Sequence, residues 1–217
     1  MTSNKLASQR EAEVAGYVET VRETLQALES EMRVQIPLIV RLLEEVRLAG
    51  RHVFVMGNGG SGAAASHLAS DLNRYTPRAG ERGYKCIALT DNMPYILSVS
   101  NDIGYEHIFV EQLKNQAEPG DLLIGVSGSG NSRNCVAAIE FAKARSVKVV
   151  SWSGYGGGKM ASLADLALVI PSHKMTVCED CHVVIHHCIV SILRAEADNS
   201  DGTSLSASKE FTPLGAK

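Results

Sequence analysis

Two glycine- and serine-rich segments each stand between a short apolar run and a helical stretch, and both are suited to bind a phosphate group. The first reads GNGGSG over residues 57–62, and the second reads SGSGNS over residues 127–132. Glycine lets the backbone come close to an anion, and the free N–H groups at the start of a helix attract negative charge. Serine hydroxyls add hydrogen bonds to phosphate oxygens. Either loop alone is also consistent with a tight turn, whereas the two together predict a phosphate-ester site.

The first loop also satisfies the GxGxxG pattern of dinucleotide-binding proteins, which makes NAD a competing ligand. An acidic residue, Asp91, ends the following predicted strand, where such proteins carry the acid that binds the ribose. Asp91 lies 29 residues beyond Gly62, whereas the motif usually has its acid about 20 residues on. The second serine-rich loop has no counterpart in that motif, so we favour a phosphate ester and no NAD.

Histidines and carboxylates form a second group of residues, which could bind a metal ion. His67 and Asp71 are four residues apart and share one face of the helix predicted after the first loop. Such residues are suitable ligands for Zn²⁺ or a similar divalent ion. A dense set of further candidates lies on the last predicted helix, at Cys178, Glu179, Cys181, His182, His186 and His187.

Spacing on the last helix favours some of these candidates over others. Ideal helix geometry aligns Glu179, His182 and His186, and turns His187 about 100° away from His186. Spacing alone therefore selects His182 and His186 as a metal-binding pair. The two cysteines form one CxxC without a second pair, so a cysteine-based zinc site is not favoured.

The elements that must position these residues alternate between short strands and helices. We expect strands at 52–56, 85–90, 121–127, 147–153 and 167–170. Helices are predicted near 61–74, 94–100, 105–117, 133–145 and 177–196. This alternation predicts a parallel sheet with helices on both faces. Such sheets bind ligands at the carboxyl ends of their strands, near the point where the strand order reverses.

The first 50 residues have a different character. Apolar residues recur there with helical spacing, and the sequence predicts two helices, about 9–30 and 33–49, with Gly50 as the C-terminal cap. Neither has a core of its own, so both must pack on the domain or on another subunit. We therefore divide the chain into a helical pair at 1–50 for oligomerisation, a domain at 51–197 and a flexible tail at 198–217.

Composition excludes several classes of protein. Among 217 residues, 21 Lys and Arg face 24 Asp and Glu, for a net charge of −3, which argues against a nucleic-acid binder acting through bulk charge. The sequence contains no run of about 18 apolar residues, so we expect no membrane span. The N-terminus lacks the apolar core of a signal peptide. Five cysteines are few for this length, and we expect reduced thiols and a cytoplasmic protein.

Taken together, the motifs resemble those of the phosphoheptose isomerases, a family of sugar isomerase (SIS) domain proteins. The resemblance covers residues 10–196 and rests on the two loops, on SGYGGGKMASLAD at 153–165 and on IPSH at 170–173. It implies a three-layer, flavodoxin-like α/β domain with a five-stranded parallel sheet, preceded by two N-terminal helices. It further implies a homotetramer with sites at subunit interfaces. The implied reaction converts sedoheptulose 7-phosphate to a heptose 7-phosphate through an enediol, often with zinc in the pocket.

Site residues follow from the resemblance, residue by residue. It implies Asp71 and His187 as catalytic residues. The implied metal ligands are His67, Asp71, Glu179 and His187. This register prefers His187 to His186, on the assumption that Glu179 lies at or before the start of its helix. The implied substrate-binding residues are Asn58, Gly59, Ser61, Asp91, Ser127, Ser129, Ser132 and Glu179.

Three departures from the family pattern fall in the pocket. Asp71 replaces a glutamate, Glu179 replaces a glutamine, and Gly128 replaces a threonine. They favour an altered substrate, such as an octulose 8-phosphate. A competing interpretation is a non-enzymatic SIS protein that senses a sugar phosphate or binds a replication-initiator partner; that branch shares NSR at 131–133 and GYGG at 154–157. The polar residues of the pocket favour the enzyme.

Overall fold

A computed structural model describes residues 3–76 and 80–200 of the chain. Its five strands form a single parallel sheet in the order β2-β1-β3-β4-β5. They are β1 (His52–Met56), β2 (Lys85–Ala88), β3 (Leu122–Ser127), β4 (Lys148–Ser153) and β5 (Leu166–Val169). The sequence predicted all five strands, and the observed sheet confirms the expected fold class.

Seven α-helices and one short 3₁₀ turn complete the described fold. They are α1 (Ser3–Leu48), α2 (Gly59–Tyr75), α3 (Met93–Asp102), α4 (Val110–Gln116), α5 (Arg133–Ala144), α6 (Gly158–Leu163) and α7 (Met175–Ser200), with the turn at Tyr105–His107. The single helix expected over 105–117 is divided into the 3₁₀ turn and α4. Helix α6 was not predicted, because it has only 6 residues and its first residue, Gly158, is the last of three consecutive glycines.

The N-terminal segment is one continuous helix of 46 residues rather than the two predicted. No glycine or proline interrupts residues 30–33. The apolar face also continues without a break, because Leu28, Ile36, Ile39 and Leu43 are all buried in the same core. The second half of α1 therefore packs on the domain, which is one of the two arrangements expected from the sequence; the other was packing on another subunit.

Two apolar cores flank the sheet and make the domain three-layered. On one side, α1, α2 and α7 enclose a core around Val53, Val55 and Trp152. On the other side, α3, α4, α5 and α6 cover Phe54, Met56 and neighbouring residues. Strand β3 lies in the middle and is buried along its whole length. Both faces of the sheet are covered, as expected for an all-parallel sheet.

Helix α7 is long and apolar enough to cross a membrane by length and composition alone. Half of its apolar window is buried inside the domain, where the helix packs against α1 and α2. Packing in the core accounts for its apolar composition. The helix reaches Ser200, so it includes the first residues of the tail predicted at 198–217, and residues 201–217 lie outside the described part of the chain.

The strand order reverses between β1 and β3, which extend the sheet in opposite directions. The two glycine- and serine-rich loops follow these two strands and precede α2 and α5. Parallel α/β sheets bind ligands at such a switch point. The topology therefore brings the two loops together.

Candidate active site

A cavity of about 240 Å³ lies between the two loops. Both loops line it, and two residues of α7 close one side. The lining residues are Asn58, Gly59, Gly60, Ser61, Ser127, Gly128, Ser129, Ser132, Met175 and Glu179. Seven of the eight residues predicted to bind substrate are in this set, and Asp91 is the exception. The arrangement presents serine hydroxyls and the starts of two helices to one volume, as a phosphate group requires.

The side chain of Asn58 ties the first loop to the start of α5, directly after the second loop. Its Nδ2 donates to Asn134 Oδ1 at 2.9 Å, and Asn134 Nδ2 donates back to Asn58 Oδ1 at 2.8 Å. The hydroxyl of Tyr105 also donates to Asn58 Oδ1, at 2.8 Å. Asn58 thus fixes the spacing between the two loops, a role that sequence analysis did not assign to it.

The second loop is held in shape by its own hydroxyls. Ser127 Oγ accepts a hydrogen bond from Gly130 N at 3.2 Å, and Ser129 Oγ accepts one from Asn131 N at 3.2 Å. Gly130 has a φ of +64°, and a Cβ there would collide with the carbonyl group of Gly157. The backbone at this position therefore favours glycine.

The segment from β4 to α6 supports the second loop from behind. Gly154 N donates to Gly128 O at 2.9 Å, and Met160 N donates to Gly130 O at 3.0 Å. Lys159 N donates to Asn131 Oδ1 at 3.0 Å. The glycine-rich stretch was recognised in the sequence as part of a motif, but its contact with the second loop could not be predicted from residue spacing.

Two side chains of α7 lie against glycines of the loops. A Cβ on Gly60 would come within 2.5 Å of the carboxylate of Glu179. A Cβ on Gly128 would meet the thioether of Met175. Met175 thus fills the space beside Gly128.

A cluster of four polar residues lies farther along α2 and α7. Its members are His67, Asp71, His186 and His187, and one potential ligand atom from each lies within 4.8 Å of all the others. Asp71 Oδ2 is 3.5 Å from His67 Nε2, 3.5 Å from His186 Nε2 and 3.9 Å from His187 Nε2. Ligand atoms around a tetrahedral zinc ion with bonds of about 2.1 Å are about 3.4 Å apart. The donor set and its spacing fit a divalent ion.

The cluster includes three of the four predicted metal ligands, together with His186, which the resemblance did not select. Asp71 and His186 are buried, whereas His67 and His187 are exposed. Burial, together with the neighbouring His187 and His67, lowers the pKa of His186 to about 3. The imidazole is therefore neutral at physiological pH, which is the form that binds metals.

The assumption about the start of the last helix was wrong. Helix α7 begins at Met175, and Cys178 N donates to Lys174 O at 3.0 Å, so Glu179 lies inside the helix. At 1.5 Å per residue, Glu179 and His186 are about 10 Å apart along the axis. Glu179 accordingly lies at the cavity between the two loops and does not belong to the four-residue cluster.

His182 does not join the cluster, contrary to the pairing that ideal spacing selected. It is fully buried, and neither ring nitrogen has a hydrogen-bond partner among the described residues. The two cysteines are also core residues. Burial raises the pKa of the Cys181 thiol to about 11, and Cys178 Sγ donates to Ser172 O at 3.5 Å. Neither cysteine belongs to the cluster.

The burial of His182 predicts a loss of stability in mild acid. Burial lowers its pKa to about 4, whereas in the unfolded chain a histidine titrates near 6.5. The unfolded state alone gains a proton as the pH falls from about 6.5 to about 4, so stability is complete above this range and is lost within it. We expect His182 to reduce the free energy of unfolding by roughly 2 kcal/mol between pH 7 and pH 5.

Urea denaturation at the two pH values, with a chelator present, measures this loss. The variant His182→Leu removes the titrating group, so the difference between its two unfolding free energies is expected to be smaller by that amount. An unchanged difference in His182→Leu would show that other groups cause the acid sensitivity.

Asp91 lies outside the cavity between the two loops. Its Oδ1 accepts hydrogen bonds from Ser66 Oγ at 2.5 Å and from Thr90 Oγ1 at 3.3 Å. It lines a separate polar cavity of about 640 Å³ beside α2 and β2. Within one chain, the carboxylate therefore fixes the end of β2 to α2.

Known proteins match the chain over most of its length. A family model of the SIS domain matches residues 16–154. A phosphoheptose isomerase from Akkermansia muciniphila is 35% identical over 177 residues, which are 81% of this chain and 92% of that protein. One from Rhodospirillum rubrum is 41% identical over 147 residues, 67% of this chain and 77% of that protein.

Solved structures agree with these relatives. The phosphoheptose isomerase of Neisseria gonorrhoeae matches with a TM-score of 0.79 and 26% identity, over 85% of this chain and 98% of that one. The enzyme of Francisella tularensis matches with a TM-score of 0.78 and 27% identity, over 90% of this chain and all of that one. The chain therefore belongs to the SIS-domain family of phosphoheptose isomerases, which are sugar-phosphate isomerases.

Proposed function

We propose that this protein interconverts a ketose phosphate and an aldose phosphate of seven or eight carbons through an enediol. The substrates in question are sedoheptulose 7-phosphate and its longer analogue, an octulose 8-phosphate. One observation carries the proposal: the same two helices, α2 and α7, contribute both to the cavity between the serine-rich loops and to the histidine–carboxylate cluster. A phosphate and a reacting carbonyl at opposite ends of one substrate need such a pair of sites.

The phosphate end is assigned to the two loops. Ser61, Ser127, Ser129 and Ser132 supply hydroxyls, and the backbone N–H groups at the starts of α2 and α5 supply positive potential. Gly59 has a φ of +52° and carries no side chain between the backbone and the ligand. Binding at this end holds the sugar so that its carbonyl carbons reach toward the cluster.

The carbonyl end is assigned to Asp71 and His187. Isomerisation removes a proton from C1 of the ketose, returns one to C2, and exchanges protons at the two oxygens. The carboxylate of Asp71 is held beside three imidazoles, and His187 is exposed and open to substrate. When a divalent ion such as Zn²⁺ is bound by His67, Asp71 and His187, it supplies the positive charge that polarises the carbonyl.

An isomerisation assay tests the proposal. The purified protein, supplied with zinc, is incubated with ketose phosphates of five to eight carbons, and NMR follows the aldose product. We expect turnover of the seven- or eight-carbon substrate and much less of the shorter ones. No turnover across the panel, with folded and metal-loaded protein, would favour a sugar-phosphate sensor or a partner-binding protein and would refute the enzymatic proposal.

We further propose a cytoplasmic homotetramer. The first half of α1 exposes Val14, Tyr17 and Val18. The hydroxyl of Tyr17 donates to Asp180, whereas the side chains of Val14 and Val18 are largely uncovered within the described chain. An apolar groove of about 580 Å³ lies between α1 and α7, near Met32 and Ile192. Burial of these surfaces by other copies of the chain supports the tetramer, and light scattering that gives the mass of a single chain would contradict it.

A further inference from the structure

We propose that His186, and not Glu179, is the fourth ligand of the metal site, which leaves the Glu179 carboxylate free in the substrate cavity. The site then consists of three imidazoles and one carboxylate, all from α2 and α7 of one chain. The inference rests on the proposed function only in taking the cluster as a metal site.

The buried environment of His186 favours coordination of a metal ion by its ring. Its side chain is completely buried, and both of its ring nitrogens lack a hydrogen-bond partner in the described part of the chain. An unpaired polar group in such a place is destabilising, because it loses its water without gaining a partner. Coordination of an ion by one nitrogen removes the part of that penalty that belongs to the coordinating atom.

The position of His186 favours the same assignment. Its Nε2 lies 3.5 Å from Asp71 Oδ2, the same distance as His67 Nε2. The ring centroids of His186 and His67 are 4.6 Å apart, and those of His186 and His187 are 4.2 Å apart. His186 therefore packs against both of the other imidazoles, which are themselves 5.1 Å apart, and shares the carboxylate with them.

Glu179 lies too far from the cluster to be the fourth ligand. Its carboxylate lies over Gly60, at the start of α2, and lines the phosphate cavity with Met175. It is about two turns of α7 away from His186 and is absent from the group of mutually close ligand atoms. To bind the same ion, it would have to leave the cavity wall.

This ligand set changes the charge of the site. A divalent ion with three neutral imidazoles and one carboxylate retains one positive charge, whereas a second carboxylate would cancel it. The site with His186 polarises a carbonyl more strongly. It also leaves Glu179 as a free carboxylate in the cavity, able to hold or accept a proton from the bound sugar.

Metal binding alone tests the inference. The full-length, metal-free protein is titrated with Zn²⁺ in a calorimeter, and with Co²⁺ while the absorption bands of tetrahedral cobalt are recorded. We expect His186→Asn to weaken metal affinity by at least about 100-fold. The matched variant Glu179→Gln, which keeps shape and removes only the charge, is expected to bind within about threefold of the unmodified protein.

The opposite pattern, in which Glu179→Gln loses the metal and His186→Asn keeps it, overturns the proposal, as does a wild-type protein that binds neither ion. Because His186 is buried, circular dichroism must show that its variant folds. If it does not, zinc X-ray absorption of the wild-type protein decides: three imidazole ligands agree with the inference, and two contradict it. Metal binding through His186 without sugar turnover would refute the proposed function and leave this inference standing.

Discussion

Replacing Asp71 by asparagine is expected to lower kcat on the preferred sugar phosphate by roughly 10³-fold. The substitution keeps the size of the side chain and removes its negative charge. Asp71 Oδ2 is the atom on which His67, His186 and His187 converge, so the variant loses both a metal ligand and a proton carrier. The effect on folding is expected to be small, because the amide occupies the same volume.

Two measurements on this variant separate its roles. Metal content shows whether the ion is lost, and steady-state kinetics in excess zinc show whether turnover returns when the site is refilled. Asp71→Glu, which keeps the carboxylate on a side chain one methylene longer, is the matched control and is expected to retain measurable turnover. Near-normal kcat in Asp71→Asn would remove Asp71 from the mechanism.

Placing a second carboxylate, in addition to that of Glu179, in the cavity between the two loops is expected to weaken substrate binding strongly. Ser129 lines the cavity and is half-buried, and an aspartate there can still accept the hydrogen bond from Asn131 N. Two like charges about 4 Å apart at an effective dielectric constant near 20 repel each other by about 4 kcal/mol, so KM is expected to rise by about 10³-fold in Ser129→Asp.

The isosteric variant Ser129→Asn is the control, because it has the same shape without the charge. A KM within about tenfold of the unmodified enzyme is expected for it, since only one neutral hydrogen bond is changed. Equal KM values for the aspartate and asparagine variants would mean that the phosphate does not bind between the two loops.

Most of the fold could be predicted because strands and helices differ in their apolar period. Each of the five apolar runs became a strand, and the loops after β1 and β3 met at the switch point. The helix boundary predicted at 30–33 was wrong. The spacing of apolar residues changes there, but the apolar face of α1 continues through it and packs against α7. Helix α6 was missed because its glycines resemble a loop.

The candidate site was predictable in part. The loop serines and the pair on α2 were recognised from residue type and position in the motif. The choice between His186 and His187 was not predictable, because it depends on where α7 begins and on how it crosses α2. In the structure both histidines approach Asp71 on α2, with Nε2 atoms 3.5 Å and 3.9 Å from Asp71 Oδ2. The separate location of Asp91 also depends on packing, through its bond to Ser66.

The central claim is that this chain moves a proton between adjacent carbons of a sugar phosphate. Isomerisation in deuterium oxide, followed by NMR, tests it most directly. An enediol exposes the transferred proton to exchange with solvent acids and bases. The account predicts that aldose phosphate accumulates and that part of it carries deuterium at C2. Recovery of the ketose phosphate unchanged, with no deuterium at C1, would contradict it.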